Sequence, residues 1–439
     1  MMKQKKAIAP LAVVLIIAVI VAATGLFLFP FSPHNPPRAN DTGSTPQGAA
    51  NVVDANNQFA FELYHELLKT NDGNIFYSPY SISAALAMTY EGAKGDTADE
   101  MKAVFHFPAE NVLRPNFAAI YNEINKADKS YQLNTGNALW AQQDYPFLED
   151  YINTVETYYG GKAAGVDFVN EPEKSRQTIN SFIAEQTNDK IKDLIPPGIL
   201  DKFTRLVLTN AIYFKGTWEW QFDKSDTREQ DFKITEDNTV QVPMMYMDPD
   251  KATFNYADLK EEGLQILEMP YKGDEVSMLI LLPKQGVEYD DETEERYTYD
   301  STIEDLEENL TIEKLEEYKS QMAETGLDSI SIPKFEFDTK YSLAKTLEEM
   351  GMPIAFSDAA DFSGMTQEEQ LYISGVIHQA YVKVDEEGTE AAAATAVIME
   401  ATAMMPTKVF RADHPFIFII QQKDTGNILF LGKVVDPSA

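Results

Sequence analysis

The sequence predicts an α+β fold, and three observations lead to it. Phe59, Ala60, Leu63, Tyr64, Leu67 and Leu68 recur at helical spacing. Leu206–Phe214 is an unbroken apolar run, the pattern of a strand buried on both faces. Residues 385–406 form a long segment between two strong strand patterns, Tyr381–Val384 before it and Val409–Phe410 with Pro415–Ile420 after it. Long loops inside compact domains are usually functional.

Taken in order, the chain opens with Lys3, Lys5 and Lys6, followed by residues 7–29 without a charge. A membrane-spanning helix needs about 20 apolar residues, whereas the apolar core of a cleaved signal peptide is about 7–15 long. An uncleaved signal anchor is expected, with 1–6 as a cytoplasmic tail; Val21-Ala22-Ala23 is the alternative, a cleavage site. Residues 30–50 hold Pro30, Pro33, Pro36, Pro37 and Pro46 among small polar residues and read as a disordered linker before a folded domain at 51–439. Asn74–Tyr77 reads as a strand entering an apolar helix, with Ser78 as its natural cap and Pro79 in its first turn. Helices are expected within 96–130, at 147–159 and at 175–190, and a strand near Asn134–Ala141. Residues 264–271 and 276–283 read as a hairpin around Lys272-Gly273-Asp274. Residues 288–308, dense in Glu and Asp, read as a solvated acidic loop. Asp328–Phe337 alternates as one strand, Tyr341–Met350 as a helix ending at Gly351, and 415–422 with 427–435 as a closing hairpin.

Composition excludes several classes of function. Lys and Arg number 36 against 70 Asp and Glu, a net charge of −34, which argues against nucleic acid or another polyanion. With no cysteine there is no disulfide, thiol nucleophile or Cys-ligated zinc. The five histidines show no metal-ligand spacing, and neither a Gly-x-Ser-x-Gly turn nor a phosphate-binding glycine loop appears. No cofactor is implied and no enzyme is expected. His378 lies in an apolar strand pattern and reads as a hydrogen-bonded core histidine.

The segment 385–406 is rich in Ala and Glu, a helix-forming composition that also suits a solvated linker. Its periodicity points elsewhere. Read with a period of two, Thr389, Ala391, Ala393, Thr395, Val397, Met399 and Ala401 form a face with no charge, while Glu390 and Glu400 lie on the other face. Gly388, Thr389, Glu390, Ala391, Ala392, Ala393 and Ala394 closely resemble the hinge of the reactive-centre loop of serpins, the serine-protease inhibitor family. Phe410–Phe416 resembles the segment after that loop, Asn74–Met88 the region called the shutter, and Thr209–Phe222 with Val242–Met245 further core segments. The resemblance covers most of 51–439.

That resemblance implies a fold of three β-sheets and about eight or nine helices, with an exposed reactive-centre loop at about 386–408. It implies inhibition by bait: a protease cleaves the loop, becomes attached as an acyl-enzyme, and the loop inserts into the large sheet. It places Ser78, Ser81, Asn210 and His378 together under that sheet, Trp218 where insertion begins, and Glu386 with Lys334 as a pair at the top of the sheet. Counting from the hinge puts the scissile bond at Thr402–Ala403; counting back from Pro415 puts it at Met404–Met405. No Lys or Arg stands between Glu390 and Lys408, so elastase-, subtilisin- or chymotrypsin-like targets are expected rather than trypsin-like ones. No basic stripe for heparin appears, and a monomer is expected, on the extracellular face of the membrane or secreted. The alternatives are a non-inhibitory relative that binds or carries a ligand, and a surface hydrolase.

Overall fold

A computed structural model describes residues 38–439 except 128, 136, 249–251, 291–294, 368–370 and 390–407. The expected membrane segment 7–29 therefore lies outside the described residues, as do Glu390 to Ala394 and the candidate scissile residues Thr402, Ala403, Met404 and Met405.

The described residues hold nine α-helices and three large sheets, two of seven strands and one of four, with a separate two-stranded hairpin. The longest helix, Pro46–Leu68, starts from Thr45, whose hydroxyl accepts the Gly48 amide at 3.0 Å. It turns Phe59, Leu63 and Leu67 into the core. The helix Pro79–Tyr90 is buried on every side and carries no charged residue, and Ser78 caps it by accepting the Ser81 amide at 3.1 Å.

One seven-stranded sheet is the C-terminal core. Its order runs from Ile75–Tyr77 through 428–434, 416–422, 276–283, 264–270 and 253–259 to 323–326, with every pair antiparallel. The other seven-stranded sheet has the order 335–342, 376–385, 388–389, 206–217, 138–142 and 162–166, with 132–135 beside the far half of 206–217. Its middle join is parallel, as is the edge pair 138–142 with 162–166. Strands Val376–Asp385 and Leu206–Thr217 run parallel, paired from Val376–Leu208 to Tyr381–Tyr213. Parallel pairing is somewhat weaker per residue than antiparallel pairing, and this parallel join lies in the interior of the sheet.

Three expectations need correction. Residues 38–50 are not a free linker. Ala39 is buried, its amide and carbonyl both bonded to the Asn122 side chain at 2.9 Å, and the Asn40 amide donates to the Thr157 carbonyl at 2.7 Å. Helix formation from Pro46 takes up the rest, since a proline is well tolerated in a first turn. The acidic stretch 288–308 is not a loop throughout. Strands Gln285–Asp290 and Glu295–Asp300 pair as a hairpin, and Thr302 then opens a short helix, Ile303–Asn309, with a capping box to Asp305. Tyr297 and Tyr299 stack at 6.2 Å, and the ammonium groups of Lys260 and Lys284 lie 5.3 and 4.3 Å from their respective ring centres. Last, Asp328–Phe337 is two strands, not one. Ser329–Pro333 belongs to the four-stranded sheet and Phe335–Ser342 to the large sheet, so Lys334 marks the corner between them. Pro333 supplies the break, because it lacks the amide that would continue a ladder.

Candidate functional site

The site is the parallel seam and the segment that enters it. Beyond Tyr381 and Tyr213 the two strands separate, and Gly388–Thr389 occupies the gap. Gly388 pairs with Asp385 on one side and Thr217 on the other; Thr389 pairs with Val384 and Gly216. Only glycine fits the first of these positions. Gly388 has φ +149°, and a β-carbon there would fall 2.0 Å from the Gly216 carbonyl oxygen. Thr389 is 1% exposed, and its hydroxyl lies 2.8 Å from that of Tyr271.

Trp218 holds the turn that precedes this wedge. It stacks on Tyr271 with ring centres 4.5 Å apart, its indole N–H donates to the Asp385 carbonyl at 3.1 Å, and its amide donates to the Glu387 carbonyl at 2.8 Å. The Phe222 amide donates to the Glu386 carbonyl at 2.9 Å. The three acidic residues Asp385, Glu386 and Glu387 are all buried, each in a different way. Burial alone would raise the Glu386 carboxyl. Hydrogen bonds from the Lys334 ammonium at 2.8 Å and the Thr227 hydroxyl at 2.7 Å outweigh that and hold it below the ordinary glutamate range. Glu387 accepts from Lys224 at 2.5 Å. For Asp385 burial prevails and pushes the carboxyl up.

Further down, a polar network crosses the seam. His378 stands directly opposite Asn210 in the parallel register. The His378 Nε2 accepts the Ser78 amide at 3.1 Å, so Nδ1 carries the proton and donates to the Asn210 side-chain oxygen. The Asn210 amide group donates to Ser81 Oγ at 2.8 Å and to the Asn137 side-chain oxygen at 2.9 Å. Ser81 Oγ donates to the same Asn137 oxygen at 2.8 Å, and Ser78 Oγ donates to the Leu429 carbonyl at 2.6 Å. Parting the seam must break the His378–Asn210 bond.

Full burial pushes the His378 imidazole down to about 3, so it stays neutral at ordinary pH. The unfolded chain binds this proton below about pH 6.5 and the folded one only near pH 3, so stability falls as pH drops through that window. The His378 share is expected to be on the order of 2 kcal/mol between pH 7 and pH 5. His378→Gln removes that share. Denaturant midpoints of the two proteins should therefore converge on acidification, and parallel profiles would disprove the buried neutral ring.

The described residues assigned from the sequence thus fall in two groups on one seam. Trp218, Lys334, Glu386 and the Gly388–Thr389 wedge stand at its open end, and Ser78, Ser81, Asn210 and His378 at its middle. Sequence reasoning missed Asn137, Tyr271, Thr227 and Lys224. Asn137 and Tyr271 meet their partners 56 to 118 residues away, and nothing local in the sequence marks such contacts. For Glu386 the resemblance named Lys334, but nothing in the sequence pointed to Lys224 as the cation for Glu387. Among the described residues no group of three or more His, Asp or Glu side chains is arranged to hold a metal ion.

A sheet with a wedge entering a parallel seam is the architecture of the serpins, and the family model for Serpin (serine protease inhibitor) matches residues 54–437. The chain belongs to the serpin family. An uncharacterized serpin-like protein of Methanosarcina acetivorans is 42% identical over 388 residues, covering 88% of this chain and 86% of that one. Leukocyte elastase inhibitor A of Rattus norvegicus is 40% identical over 386 residues, covering 87% and 98%. Among solved structures, uncleaved ovalbumin superposes with a TM-score of 0.76 at 32% identity, over 88% of this chain and all of that one. Human thyroxine-binding globulin complexed with thyroxine gives 0.77 at 32%, over 89% and 100%.

Proposed function

We propose that this chain is an inhibitory serpin that traps a serine endopeptidase by loop cleavage and insertion. The observation that carries the reading is the Gly388–Thr389 wedge: an uncharged pair already seated between two strands that are otherwise joined in parallel. Ahead of it the sequence continues with no charge on the same face as far as Ala401. A strand with that face can leave water without burying an unpaired charge.

In the chemical step the protease serine oxygen adds to the Thr402 carbonyl carbon. The Thr402–Ala403 bond breaks, and Ala403 departs as an amine with the proton the serine gave up. The enzyme is left as an ester on residue 402. Insertion of the freed arm then competes with the water that would hydrolyse that ester, and the faster process decides between trap and substrate. Met404–Met405 is the second candidate bond. Small residues and Met in this region suit an elastase-, subtilisin- or chymotrypsin-like enzyme. Trp218, Tyr271, Lys334 and Glu386 hold the entry point, and the Ser78–Ser81–Asn210–His378 network is the clasp that opening must release. Residues 7–29 would fix the inhibitor to the outer face of a membrane, or direct its secretion if cleaved.

Incubation with pancreatic elastase or subtilisin should give a covalent complex that survives denaturing electrophoresis. Intact, active protease and a cleaved loop without complex would instead support a non-inhibitory binding protein, the reading that the thyroxine-binding globulin likeness favours.

A further inference from the structure

Two asparagines stand in the pattern Asn-x-Ser/Thr, Asn40-Asp41-Thr42 and Asn309-Leu310-Thr311, and neither middle residue is proline. That pattern is the acceptor for N-linked sugar on exported chains, and it acts only where the chain is accessible. The fold presents both triplets in the same way. The middle residue is held inward, and the outer two face solvent.

At the second triplet the chain is leaving helix Ile303–Asn309. Leu310 is extended at φ −78° and ψ 106°, and Thr311 at φ −122° and ψ 174°. Side chains alternate along extended backbone, so residues 309 and 311 share a side. Leu310 is fully buried and pins the turn, whereas Asn309 and Thr311 are exposed. The Asn309 Nδ2 donates weakly, to the Asp305 carbonyl at 3.4 Å. The Thr311 hydroxyl accepts the Lys314 amide at 3.2 Å and keeps its own proton to donate.

At the first triplet Asp41 is the anchor. Its carboxylate accepts from the Asn122 side chain and from the Arg38 guanidinium, each at 3.0 Å. Asn40 and Thr42 are exposed on either side of it. The Asn40 Oδ1 accepts the Thr42 amide at 3.0 Å, an Asx turn that uses the oxygen and leaves the Nδ2 without a hydrogen bond among the described residues. The turn that follows is open as well, since a β-carbon on Gly43 would meet nothing within 4 Å.

We propose that Asn40 and Asn309 are N-glycosylation sites, modified when the chain is exported. The proposal rests on export through residues 7–29 and not on protease trapping. In the step, the Nδ2 forms a bond to the anomeric carbon of a sugar chain carried on a lipid phosphate. The bond from that carbon to the phosphate oxygen breaks, the lipid phosphate leaves with the electron pair, and one amide proton passes to a base of the transferase. Both acceptors lie on elements outside the sheet that holds Gly388–Thr389, so an inserting arm leaves the sugars in place.

The full chain and its Asn40→Gln and Asn309→Gln variants are made in its own cells and weighed intact by mass spectrometry. The parent chain should exceed its polypeptide mass by two sugar chains, and each variant should lose one of them. Thr311→Ser, which keeps the hydroxyl, should retain both. All the substituted positions are exposed, and unchanged melting checks the fold. Export is read separately, from recovery in the medium or from digestion by proteinase K added to whole cells. An exported chain of bare polypeptide mass overturns the proposal and leaves export standing. Sugar that persists in both asparagine variants overturns the assignment to these residues. A chain retained inside the cell overturns export and the proposal together.

Discussion

Thr389→Arg is expected to turn the chain from a trap into a substrate. Thr389 is enclosed between Gly216 and Val384 with its hydroxyl on Tyr271. A guanidinium at that position must either stay in solvent, which blocks the arm at its second residue, or be buried unpaired at a cost of several kcal/mol. A slowdown of that size far exceeds what the race against ester hydrolysis can tolerate. The measurable outcome is a fall of at least about tenfold in covalent complex per loop cleaved, with active protease recovered. Thr389→Ser keeps the hydroxyl and should behave almost as the unmodified chain. Full trapping by the arginine variant would remove the insertion mechanism.

Loop cleavage is expected to raise the melting temperature sharply. Before cleavage the seam is a parallel join of six residue pairs with a two-residue wedge at its end. After insertion an antiparallel strand lies along both neighbours, with small apolar side chains on its buried face. That replaces one parallel pairing with two antiparallel ones, which are somewhat stronger per residue. In domains of 150–250 residues a kcal/mol moves the midpoint by about 2–4 °C, and less in a larger one, so a gain of several kcal/mol appears as a rise on the order of 10 °C or more. Calorimetry before and after limited proteolysis reads it directly. A cleaved protein that melts no higher than the intact one keeps its arm outside the sheet.

How much of this could be read beforehand depends on how local each cause is. The strand Leu206–Thr217, the Ser78 cap and the closing hairpin 416–434 were legible because their signals lie within a few residues: an apolar run, a capping pair, an alternating pattern around a turn. The corner at Lys334 was not. Period-two alternation runs straight through Pro333, and only the competing claims of two sheets show that the chain changes partner there. The acidic hairpin was hidden for a related reason. Charge density suggests solvation, yet Tyr297 and Tyr299 supply a stacked face that two lysines from outside the hairpin cover. Of the site, the wedge glycine and the seam histidine could be located, but the carboxylate partners Lys224 and Thr227 lie some 160 residues from the acids they hold.

The grip on Ala39 and Asn40 has a mechanical corollary. A tug on the chain just ahead of residue 38 is met by three hydrogen bonds, two from Asn122 on helix Glu110–Ile124 and one to Thr157 on helix Glu149–Tyr159. Load entering there passes first into those two helices.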